Sequence, residues 1–206
     1  MKLQNRENLL VLGGFLGVVA LLAALSLAVV SQMTAKPIAK AREEIRQNVF
    51  HRLNLPDFDR TGDGVEYGGC TFFPVFKGDQ PCGFVGQGSG RGYGGEIDVL
   101  VGFDHTGRIT GVQVLRHKET PGLGANVCER KFQRTIFNLG EKVPENPANA
   151  YLDQFSGKSA KDAGTWKIKK DGGDYVYLTG ATVTSKAVVE AVNNISKAFA
   201  DWQMQK

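Results

Sequence analysis

Hydroxyl side chains crowd one short stretch near the end of the chain, Leu178-Thr179-Gly180-Ala181-Thr182-Val183-Thr184-Ser185. It follows an aromatic, strand-like run, Tyr175-Val176-Tyr177-Leu178, and leads straight into a helix pattern. Val188, Val192, Ile195, Phe199 and Trp202 recur at steps of four and three, which gathers them on one helix face. Thr184 or Ser185 is placed to cap that helix, because a side-chain oxygen there can accept from a free first-turn N–H. Thr182 then lies just outside the N-terminus, where unpaired N–H groups and the helix dipole favour a phosphate. An ordinary capped turn is the plainer reading of the same residues.

Two upstream loops invite the same question. His117-Lys118-Glu119-Thr120-Pro121-Gly122-Leu123-Gly124 joins a strand to a helix and mixes charge, a hydroxyl and glycine, and loops at strand ends are frequent binding sites. Gly90-Arg91-Gly92-Tyr93-Gly94-Gly95 matches G-x-G-x-x-G, but a dinucleotide fingerprint needs a helix next. Strand-like Glu96-Ile97-Asp98-Val99-Leu100-Val101 follows instead, which excludes it. The glycines let backbone lie close to something flat or phosphorylated, or simply form a hairpin. There is no G-x-x-x-x-G-K-S/T loop, no G-x-S-x-G elbow and no persuasive pair of carboxylates, so nucleotide hydrolysis, acyl transfer and acid–base catalysis lack support. Cys70, Cys82 and Cys128 form no metal-ligand spacing with His51, His105 or His117. The net charge is +4, with no basic run interleaved with aromatics, which gives nucleic acid binding no support.

The elements that must position these loops follow from patterning. Residues 9–30 carry no charge, and Ser26 is their only polar side chain. At about 1.5 Å per residue the run is roughly 33 Å long, enough to cross a bilayer core. It exceeds a signal-peptide core, and Val29-Val30-Ser31-Gln32-Met33 is a poor cleavage site, so a retained anchor is expected. Lys36, Lys40, Arg42 and Arg46 outnumber Lys2 and Arg6, which counts toward a cytoplasmic C-terminal domain. The short N-terminal tail argues the opposite, and orientation stays open at this level. Residues 34–53 read as a stalk helix with a stripe of Ile38, Ile45, Val49 and Leu53, and 56–69 as a loop. Strands are expected at 70–76, 83–85, 96–103 and 108–115, the last two joined at Asp104-His105-Thr106-Gly107. A helix is expected over 125–139 with Cys128, Phe132, Ile136 and Leu139 inward, then strands at 166–168 and 175–177 around Asp171-Gly172-Gly173. The sum is an α+β chain with an anchor at 1–33, a stalk and linker at 34–60 and a ligand-holding domain at 61–206.

Together, Gly92-Tyr93-Gly94-Gly95, the His117 to Gly124 loop and Thr179-Gly180-Ala181-Thr182, in this order behind one anchor, resemble the G-type subunit of the Rnf electron-transport complex. They are also similar to the C-type subunit of the sodium-pumping NADH:quinone reductase, and the resemblance covers essentially the whole chain. It implies one transmembrane helix followed by a mixed α/β FMN-binding domain with an antiparallel sheet and flanking helices. It further implies FMN joined through its phosphate to Thr182, with Thr179, Gly180 and Ala181 as the recognition motif. A separate Mg²⁺-dependent flavin transferase that takes FMN from FAD would install it. Such sites often place an Asp three residues before the first motif hydroxyl; this chain has Val176 there, with Asp174 two places earlier. Glu119, Thr120, Gly122, Leu123 and Gly124 are implied as contacts to the isoalloxazine edge or ribityl chain, with Tyr93 and Gly94 passing close to the ring and Thr184 in the same site. The family's flavin domain faces the periplasm, an oxidising compartment in which Cys70 and Cys82 are expected to pair. The implied role is a redox subunit that works with the other subunits of the membrane complex and couples ferredoxin and NAD chemistry to ion movement. A cofactor-free membrane-anchored assembly or binding module is the alternative. The anchor and the lack of a nicotinamide signature count against a free-standing flavin reductase.

Overall fold

Apolar residues occupy both sides of one strand, β5 (Glu96–Asp104), and the rest of the domain is arranged to cover them. Ile97, Val99, Val101 and Phe103 join one buried cluster and Leu100 the other, the period of two that a strand imposes. The computed structural model describes residues 4–132, 140, 142–144 and 146–205, with backbone alone for 4–11, 36 and 38–48. The chain divides into two compact units, Met1–Arg46 and Gln47–Lys206.

The first unit is made from helix α1 (Gln4–His51), whose last turn belongs to the second. Its stretch Leu12–Ala35 is long and apolar enough to cross a membrane, and none of it is buried. Two of its three hydroxyls bond locally: Ser26 donates to the Ala23 carbonyl and Thr34 to that of Val30. The side chains of Ile38 and Ile45, read as part of a stalk stripe, lie outside the described residues.

In the second unit the strands β1 (Arg60–Thr61), β2 (Val65–Tyr67), β3 (Cys70–Lys77), β4 (Gln80–Arg91), β5 and β6 (Ile109–Arg116) form one antiparallel sheet. Its order is β1-β3-β4-β5-β6, with β2 also paired to β3. Helix α4 (Thr182–Met204) lies on one face and presents Val188, Val192, Ile195, Phe199 and Trp202 to it, all buried as the periodicity requires. Phe103 stacks on Phe199 at 4.1 Å and Phe72 on Trp202 at 5.4 Å. Phe50 and Leu53 cover the opposite face against Phe73, Val75, Val85 and Leu100. There Thr110 donates to the Leu53 carbonyl at 2.8 Å. The short helices α2 (Gly124–Cys128) and α3 (Ala150–Asp153) complete the unit.

Several local expectations need correction. β4 runs on through the glycines to Arg91, where a loop was read. Gly86, Gly88 and Gly90 share the face under α4, and a Cβ on them would meet Ile195 at 2.6 Å, Ile195 at 2.7 Å and the Ala187 carbonyl at 2.5 Å. These glycines are there for helix-to-sheet contact. The turn-rich 56–69 segment holds β1 and β2. α2 stops at Cys128 because Glu129 turns extended, so Phe132 is not helical, and Ile136 and Leu139 lie outside the described residues. Residues 166–168 and 175–177 make a single parallel bridge, Ile168 to Tyr175, instead of two strands. Phe155, Trp166 and Tyr175 form an aromatic cluster there, which explains the β-like composition.

The three cysteines are free thiols, contrary to the expected pair. Cys70 begins β3, whereas the Cys82 thiol donates to the Val75 carbonyl farther along the same ladder. The rise from Cys70 to Val75 is roughly 17 Å at about 3.3 Å per residue. A disulfide needs Cα atoms within about 7 Å, so the hairpin itself keeps these residues apart.

Two stability measurements follow. Replacing Gly90 by Val forces a side chain against the Ala187 carbonyl and should cost about 1–3 kcal/mol in denaturant unfolding, with an unchanged midpoint refuting the close-contact account. At the β5–β6 turn, partial burial works to raise the Asp104 pKa, but hydrogen bonds from Thr106 and Arg108 outweigh it and hold the carboxyl below its usual value. The stability it contributes is present above about pH 4 and lost as pH falls through the depressed folded value. Asp104→Asn should therefore flatten the acid limb of a Tm-against-pH curve.

Candidate functional site

Helix α4 begins at Thr182 itself, with Ala181 as the residue before it, and no side chain caps its first turn. The expected caps lie inside the helix with their hydroxyls engaged elsewhere. Thr184 donates to Glu119 Oε2 at 2.5 Å. Ser185 donates to the Ala181 carbonyl at 3.0 Å and accepts the Leu178 N–H at 3.1 Å. Both side chains are buried, and these bonds engage their hydroxyls instead of a cap on the first turn. The first-turn N–H groups of Thr182, Val183 and Thr184 are consequently left without an intrahelical acceptor or a side-chain cap. Thr182 is half-buried beside them, and Thr179 is exposed on the preceding turn. Gly180 makes that turn possible with φ +92.

Glu119 ties the loops together. It is 6% exposed, unusual for a carboxylate. Its Oε1 accepts the Gly94 N–H at 2.8 Å and its Oε2 accepts the Thr184 hydroxyl. One side chain thereby joins the Gly92–Gly95 turn, its own loop and the start of α4. The neighbouring glycines are explained by its position: a Cβ on Gly92 would strike Glu119 Oε1, one on Gly94 the Lys118 carbonyl, and one on Gly124 would lie 2.5 Å from Glu119 Oε2. Gly92 closes its own turn by donating to the Gly95 carbonyl at 2.8 Å. His117 bridges two neighbours, its Nδ1 accepting the Glu119 N–H at 3.2 Å and its Nε2 lying 3.1 Å from Glu129. Behind Glu119, burial and then the charges of Glu119 and Glu129 push the Cys128 thiol up to about 12. Cys128 is therefore an inert core thiol at neutral pH.

Around this strut opens a cleft of about 560 Å³ lined by Tyr93, Glu119, Thr120, Leu123, Gly124, Gly180, Ala181, Thr182, Val183 and Thr184. It gathers most of the residues singled out by sequence. Gly94 reaches it only through its hydrogen bond to Glu119. Thr179 and Gly122 are off the lining, Gly122 serving the loop with φ +79 and a carbonyl that accepts the Asn126 amide. Val183 was missed, although its place beside Thr182 on the first turn of a helix was the available signal. Tyr93, Leu123 and Val183 are exposed at 79%, 48% and 52%, an apolar rim around polar, N–H-rich walls. Such a cleft can hold a molecule with a flat apolar part and an anionic end.

Comparison with known proteins agrees. Residues 92–197 match the FMN-binding domain family. The chain is 32% identical over 198 residues to the G-type subunit of the ion-translocating oxidoreductase complex of Cereibacter sphaeroides, covering 91% of this chain and 83% of that protein. It is 34% identical over 216 residues to the subunit of the same name from Pseudomonas aeruginosa, covering 97% and 92%. A match to the Vibrio parahaemolyticus subunit reaches 41% over 103 residues, which is 50% of this chain and 42% of that protein. With its FMN-binding domain and near full-length likeness, the chain belongs to the family of G-type subunits of ion-translocating oxidoreductase complexes.

Proposed function

We propose that the protein carries FMN as a phosphodiester on Thr182 and works as an electron-carrying subunit of a membrane ion-translocating complex. One observation carries the attachment residue. Of the hydroxyls in the Thr179 to Ser185 stretch, Thr182 alone lines the cleft without an internal hydrogen-bond partner among the described residues. Thr184 and Ser185 are buried and committed, and Thr179 stands off the lining.

The residues present fit the group. First-turn N–H groups of Thr182, Val183 and Thr184 supply donors for a phosphate, with the α4 dipole favouring its charge. Tyr93, Leu123 and Val183 supply apolar surface for a ring system, and the Thr120 hydroxyl a polar contact. In maturation a flavin transferase joins the Thr182 oxygen to the phosphorus of the FMN half of FAD; the AMP half leaves and the hydroxyl proton is lost. The bound flavin supplies reversible electron carriage, while the chain fixes its position and access to it. No acid–base pair is needed for that work. The anchor (1–33) and linker (34–60) hold the domain (61–206) at the periplasmic face, where it exchanges electrons with other subunits of a complex linked to ferredoxin and NAD.

Coexpression with a flavin transferase should add one FMN-sized mass to the peptide containing Thr182 and give in-gel fluorescence. Thr182→Ala should lose both, and a fluorescent, mass-shifted variant would exclude Thr182. A wild-type protein that stays unmodified under these conditions would instead favour a cofactor-free assembly module. For topology, protease added to intact spheroplasts should digest the C-terminal domain; full protection would overturn the periplasmic assignment.

A further inference from the structure

We propose that Glu119, besides tying the loops together, is a fixed negative charge that keeps a flavin in this cleft at a low reduction potential. The inference rests on the flavin reading above. Glu119 lines the cleft and is almost wholly buried, and both of its oxygens accept hydrogen bonds from neutral donors, the Gly94 N–H and the Thr184 hydroxyl. Acceptance at both oxygens is the pattern of an ionised carboxylate. The neighbouring basic groups are engaged away from its carboxylate: His117 accepts the Glu119 backbone N–H at Nδ1 and meets Glu129 at Nε2, Lys131 faces Glu129, and Arg130 faces Asp153. Among the described residues no Lys, Arg or His forms an ion pair with Glu119. The packing also leaves little room for a counter-ion on the Gly124 side, where a Cβ would already lie 2.5 Å from Oε2 and 2.7 Å from the Thr184 hydroxyl.

Such a charge acts on redox equilibrium directly. Reduction by two electrons with uptake of one proton adds one negative charge to the flavin, the electrons leaving a donor centre of the complex that is thereby oxidised. A like charge in a site of reduced dielectric opposes that change far more than it would in water. Glu119 is a positioning residue as well, so its two effects must be separated. Charge and packing make opposite demands on two near-isosteric substitutions. Glu119→Gln removes the charge. Thr184→Val keeps the charge and removes a donor that partly compensates it. Loosened loops would move the potential in the same direction in both.

The test is a potentiometric titration of the full-length holoprotein at about pH 8, with covalent FMN verified by mass in each variant. E119Q should shift the equilibrium at least tenfold toward the reduced flavin, a rise of about 30 mV for a two-electron couple. T184V should move it the other way. A loaded E119Q protein with wild-type potential, or shifts of the same sign in both variants, overturns the proposal while leaving the attachment at Thr182 intact. If E119Q does not load, T184V decides alone: a fall supports the fixed charge, and an unchanged or raised potential refutes it. Loss of FMN from the wild type would defeat the flavin reading itself.

Discussion

A carboxylate taken out of water must be repaid in hydrogen bonds, and the way Glu119 is satisfied determines the geometry of the whole site. Its two acceptors reach the Gly92–Gly95 turn through Gly94 and the start of α4 through Thr184. Neither segment can shift without leaving a buried carboxyl oxygen without its hydrogen bond, which costs more than an ordinary surface contact is worth. The cleft is accordingly a by-product of one polar strut. The loops meet because Glu119 holds them, and the space left between them is where the first turn of α4 remains open.

The strut works only because the sheet and helix behind it are close and rigid. A stripe of glycine along β4 lets α4 lie almost directly on the strand, and Ile195, Ala187 and Ala191 occupy the room that side chains would have taken. Aromatic stacking of Phe199 and Trp202 on Phe103 and Phe72 secures the far end of the same helix. Close packing leaves α4 little freedom to slide, so the N–H groups at its start stay aimed at the cleft. Nearness of backbone and precision of the site are two sides of one arrangement.

What the sequence made legible was whatever depends on large side chains at regular spacing. The α4 face could be read from Val188 to Trp202, and the β5 and β6 strands from their apolar patterning. The Thr179 to Ser185 stretch could be placed next to a helix start, and resemblance then named the ligand. Glycine in β4 was read as turn because glycine usually marks one; only the partner helix shows why the strand lacks side chains. One helix was expected from residue 125 onward because apolar spacing continues past Cys128, whereas the backbone at Glu129 turns extended and interrupts it. Trp166 and Tyr175 looked like strand residues and are aromatic packing instead. Glu119 was noticed as part of a loop, but a charged residue is normally solvated, and nothing local foretells that it will be buried against Thr184. The cysteines show the same limit. Their separation is set by strand register, which pairwise spacing does not reveal.

Thr182 and the core residue Val188 belong to one uninterrupted helix, and that has an evolutionary consequence. Each added or deleted residue between them would rotate the hydroxyl by about 100° around the helix axis relative to the buried face. Selection acting on the core would then carry the hydroxyl out of the cleft, or selection acting on the hydroxyl would turn Phe199 and Trp202 toward solvent. Length variation in this lineage is therefore expected to accumulate in other segments, with the interval from Thr182 to the core inherited as a fixed unit.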